Sequence, residues 1–99
     1  MGYHSAMPIR ITEQVLIDVV ERVNQTLNLK PGFPGTFFLS RSGRAYGLGR
    51  LIEIPDSPEL GVECVTFGGY PSRKVYEMLN MIEYGIKVER YAQRKQNDA

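Results

Sequence analysis

The chain reads as an α+β domain of order α-β-β-β-α, a three-stranded antiparallel sheet with two helices packed on one face. Three observations predict this. Apolar residues recur at helical spacing near both ends of the sequence, three β-favouring runs lie between them, and Gly- or Pro-containing breaks separate the segments. Ninety-nine residues suit one domain with a modest core, here expected over residues 9–99. Residues 1–8 read as an irregular leader outside the fold, with Met7 as an alternative start.

The first helix starts with Thr12 as N-cap and Glu13 and Gln14 in its first turn. Ile11 and Leu16 flank that cap at the spacing of a hydrophobic staple. Leu16, Val19, Val20, Val23 and Leu27 form its apolar stripe, and Pro31 and Pro34 forbid continuation beyond residue 28. Residues 36–41 (TFFLSR) form the first strand, and Ser42-Gly43 reads as a two-residue hairpin turn. Residues 44–54 form the second strand, where Gly47 and Gly49 predict a bulge, a bend or close approach by a helix. After a Pro-rich loop, residues 62–67 form the third strand, which carries Cys64 as a buried thiol.

The last helix covers residues 72–96, with Ser72 as its cap. At about 100° per residue, Val75, Met78, Leu79, Ile82 and Ile86 share one sector. Met81, Tyr84, Val88 and Tyr91 share a second sector, roughly 160° from the first. The sheet can cover only one of these stripes. The first runs out at Glu89 and Gln93, so the later turns are expected to leave the core and project. Met81, Tyr84, Val88 and Tyr91 are therefore the candidate partner-binding residues, since Tyr and Met favour interface cores. Gly85 interrupts the helix as a bend or close-packing point.

Composition narrows the function classes. Twelve Lys and Arg against eleven acids leave a net charge of +1, with no bulk attraction to nucleic acid. From Ser72 onward six cations face four acids, a mixed and solvated distribution. His4 is the one histidine and lies in the leader, so a Ser–His or Cys–His pair within the fold is not expected. Zinc spacing is absent, and no metal or cofactor is expected. A single cysteine suits a reducing cytoplasm, and no stretch approaches the ~18 apolar residues of a membrane span.

Two further groupings carry a functional reading beside a plain one. Gly68-Gly69-Tyr70-Pro71-Ser72-Arg73-Lys74 could cradle an anion at a helix start, but it lacks both the Walker and GxGxxG patterns and reads first as a turn and cap. Arg41, Arg44 and Arg50 surround the first hairpin with Tyr46 among them. With Arg73 and Lys74 they are the candidate nucleic-acid contacts, though hairpin arginines are commonly only solvated.

Two resemblances follow from these residues. The element order, with Ser72-Arg73-Lys74 opening the last helix and Gly68 before it, is similar to the double-stranded-RNA-binding domain. That family carries Ser-Lys-Lys at its second helix, which implies phosphate contacts from Arg73 and Lys74. The chain departs from it at Tyr70, where the family has glycine, and at Ser42-Gly43, which replaces a His-containing loop. It departs again at Val75, Tyr76 and Met78, which replace small alanines. The run from Gly69 through Ser72-Arg73-Lys74, Tyr76 and Leu79 to Tyr84-Gly85 resembles short uncharacterised bacteriophage and prophage proteins. The expected function is a non-catalytic protein-binding module of phage or mobile-element type, homodimeric through its C-terminal helix. The alternative is a nucleic-acid-binding domain.

Overall fold

A computed structural model describes residues 10–98; the leader expected at residues 1–8 lies outside the described residues. The order is α1 (Glu13–Thr26), β1 (Phe37–Ser42), β2 (Ala45–Glu53), β3 (Leu60–Cys64) and α2 (Ser72–Asn97). The strands form an open antiparallel sheet with β2 in the middle.

The cap expected at Thr12 forms, with its hydroxyl accepting the Val15 N–H at 3.3 Å. Ile11 and Leu16, on either side of it, are both buried in the core. Prolines do not end this helix. Asn28 takes a left-handed conformation (φ 59°), and the N–H groups of Asn28 and Leu29 donate to the carbonyls of Gln25 and Asn24 at 2.9 Å each. That is a Schellman closure, and it satisfies the last carbonyls before Pro31 is reached.

Residue register shifts the hairpin by one position from expectation. Ser42 pairs with Ala45, so the two-residue loop is Gly43-Arg44. Gly43 stands first in that loop with φ 61°, the positive value a type II′ turn requires there. The third strand also starts and ends earlier than residues 62–67. The N–H groups of Val65 and Thr66 both point at the Leu48 carbonyl (2.9 and 3.3 Å), and the Thr66 hydroxyl accepts the Leu48 N–H at 3.1 Å. Two residues thus oppose one, and the ladder breaks. Pairing resumes at Tyr46 and Tyr70, which exchange bonds of 2.8 and 2.9 Å. The two β2 glycines serve cross-strand side chains rather than a helix. A Cβ on Gly49 would strike the Phe38 ring, and one on Gly47 would sit 3.0 Å from the Thr66 hydroxyl.

Leu39 pairs with Leu48 on the sheet face that both helices cover, with Phe37 and Tyr46 beside them. Leu16, Val19, Val20 and Val23 of α1 and Val75 and Leu79 of α2 complete the core. Among the described residues no helix covers the opposite sheet face. Cys64 is consequently exposed on it, which corrects the expected buried thiol. Ser72 is the first residue of α2 rather than its cap. Pro71, extended at φ −66° and ψ 156°, holds the cap position and supplies its carbonyl to Lys74 and Val75.

Polar links tie the elements together, two of them from the end of α1. The Asn24 amide donates to the Phe37 carbonyl at 3.0 Å and accepts the Phe37 N–H at 2.9 Å, continuing the ladder of edge strand β1 from the end of α1. Arg22 Nε donates to both carboxylate oxygens of Glu83, at 2.9 and 3.2 Å, joining α1 to α2. Glu83 is buried, and the Arg22 guanidinium is the cation that compensates its carboxylate there.

Asn24→Ala leaves both backbone groups of Phe37 without their amide partner. A loss of about 1–3 kcal/mol is expected, read as a fall in Tm of roughly 4–8 °C per kcal/mol for a domain of this size. Thermal denaturation showing no change would refute this role. Arg22→Met strands the Glu83 carboxylate, whereas Glu83→Met leaves a half-exposed guanidinium free to hydrate. Denaturant unfolding should therefore rank Arg22→Met as the more damaging change.

Candidate functional site

The outward stripe lies on α2, a single helix that runs through Gly85 without interruption. Its core-facing side buries Val75, Leu79 and Glu83. Met81, Tyr84, Val88 and Tyr91 are 67, 63, 49 and 56 % exposed, and neither α1 nor the sheet covers them. From Lys87 to Asp98 every residue is exposed, so the last three turns project beyond the core. The radius of gyration, 16.4 Å, exceeds the about 13 Å of a compact domain of 100 residues, as a projecting helix requires.

The apolar surface is wider than the four residues read from periodicity. Val65 and Phe67, thrown outward where the ladder breaks, line a concavity with Tyr70, Lys74, Met78 and Met81. Phe67 is 82 % exposed. A strand pattern running through residue 67 hides this, because it assigns Phe67 to the sheet instead of a loop tip. The helix-free sheet face adds Val62 and Leu60 as further exposed apolar side chains.

The five candidate cations do not form one surface. Arg41 donates to Glu13 at 2.8 Å and to the Gly43 carbonyl at 2.9 Å, and it lies 6.0 Å from the Tyr46 ring centre. Arg50 donates to the Gly35 carbonyl at 3.2 Å and lies 5.5 Å from the Phe37 ring centre. Both are used in closing the fold. Arg44 and Arg73 do meet, with Arg10, around a concavity that also includes Tyr46, Pro71 and Ser72. Lys74 faces the other side of the helix start, beside Glu77 and Met81.

Glu53, Asp56 and Glu59 line an open depression at the β2–β3 loop, and all three are exposed. Among the described residues no group of three or more His, Cys, Asp or Glu is placed to hold a metal ion. Among them, too, no helix is long and apolar enough to cross a membrane. Comparison with protein-family models, curated proteins and solved structures finds no match for this chain.

Proposed function

We propose that the chain is a non-catalytic protein-binding module of phage or mobile-element type, acting in the cytoplasm and self-associating through the outer face of α2. The observation that carries this reading is the exposure of Met81, Tyr84, Val88 and Tyr91 along a helix whose opposite face is buried. Complete burial of an exposed apolar side chain contributes about 1.5–3 kcal/mol, and roughly half of that remains to be gained at each of these four, which together favour a partner. The non-catalytic part is supported by the lack of histidine among the described residues and by the solvated setting of Glu53, Asp56 and Glu59. The phage assignment rests on the resemblance of the run from Gly69 to Gly85.

Sedimentation of the full chain should show a dimer at micromolar concentration, and Tyr84→Glu should yield a folded monomer. A wild-type monomer at the highest attainable concentration would sink self-association and leave a foreign protein as the partner.

One observation favours nucleic acid as a second reading: Arg10, Arg44 and Arg73 line a concavity whose lining includes no acid. With a net charge of +1, binding to random duplex DNA or RNA is expected at dissociation constants of about 10⁻⁴ M or weaker at physiological salt. Joint Arg44→Ala and Arg73→Ala substitution should leave that weak binding little changed. Micromolar binding to duplex RNA, lost in the double variant and falling steeply with salt, would put this reading first.

A further inference from the structure

The outer face of α2 extends past its apolar centre. Lys74, Glu77, Met81, Tyr84, Val88, Tyr91, Lys95 and Asp98 succeed one another at alternating steps of three and four, and all eight are exposed. Met81, Tyr84, Val88 and Tyr91 have the a/d spacing of a coiled coil, and two charged residues on either side continue that spacing to about three and a half heptads in all. The core side of α2, with Val75, Leu79 and Glu83, occupies the other positions of the same heptad.

The order of chemical types along this seam has a symmetry of its own. From the N-terminal end it reads basic, acidic, apolar, apolar, and then apolar, apolar, basic, acidic. Two parallel copies in register would set Lys74, Glu77, Lys95 and Asp98 each against itself, four like-charge contacts. Two antiparallel copies crossing at Ile86 set Lys74 against Asp98, Glu77 against Lys95, Met81 against Tyr91, and Tyr84 against Val88. Antiparallel coiled coils pair a with d positions, as these matches do.

We infer that the partner of this face is a second copy of the chain, with the two α2 helices antiparallel about a two-fold axis near Ile86. The inference rests on the self-association proposed above and assigns its orientation and register. Three further features agree with it. Asp98 stands at the C-terminal end of its own helix, where a negative charge is disfavoured, and the antiparallel arrangement moves it to the N-terminal turn of the other copy, where it is favoured. Gly85 flanks the axis with nothing within 4 Å of where a Cβ would stand, so the two backbones can approach closely there. Finally, the register sets the last turns of the second copy against Glu77 and Met81, two residues that line the same concavity as the exposed Phe67. Lys87 meets its own copy across the axis on the solvated flank, where salt screens the repulsion.

Charge reversal tests the register. Equilibrium sedimentation at about 0.15 M ionic strength, where the Lys87 repulsion is screened, would compare the full-length wild type with Glu77→Lys, Lys95→Glu and the combined Glu77→Lys/Lys95→Glu variant. Both positions are exposed in the single chain, so circular dichroism should report an unchanged fold. Each single change should weaken the dimer about tenfold, and the combined change should return it to within about threefold of wild type. A combined variant no tighter than either single one overturns the antiparallel register, as do single changes without effect. In those cases a wild-type dimer that Tyr84→Glu still dissociates leaves self-association through the face standing. A monomeric wild type overturns both.

Discussion

The two helices differ in length, and the surface available for binding follows from that difference. At about 1.5 Å per residue, the 14 residues of α1 span roughly 21 Å and the 26 of α2 roughly 39 Å. Beyond the reach of α1 and the short strands, α2 has no neighbour within the described chain. The Arg22–Glu83 pair lies near the limit of the contact between the helices. Partly buried Ile86 is the last α2 residue packed against the core, and everything after it is solvated. A helix held firmly at one end and bare at the other is a natural presenting element, because its anchored half sets the orientation of the free half.

The sheet is equally one-sided. Both helices use the face of Leu39 and Leu48, which leaves Phe38, Val62 and Cys64 on the other. Gly49 leaves the space above the central strand that the Phe38 ring fills, and this is how the uncovered face buries some apolar area without a second layer. Gly47 makes room for the Thr66 hydroxyl, which replaces a backbone acceptor where the ladder breaks. The break in turn pushes Phe67 toward α2, so a local strand defect enlarges the apolar surface of the helix. The amide of Asn24 meets both outward groups of Phe37, blunting an edge that would otherwise be open to another strand.

Charge is distributed by the same economy of contacts. Arg41 and Arg50 look, in sequence, like hairpin cations free to meet a phosphate. In the fold each holds a backbone carbonyl and covers an aromatic ring, and Arg41 reaches Glu13 across 28 positions of chain. Their companion Arg44, at the turn itself, joins Arg10 and Arg73 instead. A cation's role depends on what lies within reach of its side chain, and for these residues that reach is set by strand register and by helices distant in sequence.

Periodicity and local chemistry were enough to read the element order, the antiparallel sheet, the Thr12 cap and both stripes of the last helix. These features depend on residues within a few positions of one another, where spacing alone fixes which side chains share a face. The sequence also contains the heptad of Lys74 through Asp98, but spacing cannot say whether a stripe is covered. That was decided by the length and placement of α1, which buries Val75 and Leu79 and leaves Tyr84 and Tyr91 bare. The one-residue shift of the hairpin, the early end of β3, the exposure of Cys64 and the burial of Glu83 were likewise decided in three dimensions. The hairpin shift follows from β1–β2 pairing that reaches Ser42 and Ala45. The other three follow from a hydrogen bond, an ion pair or the placement of helices on one sheet face, between segments far apart in the chain, which leaves no periodic trace in either segment alone.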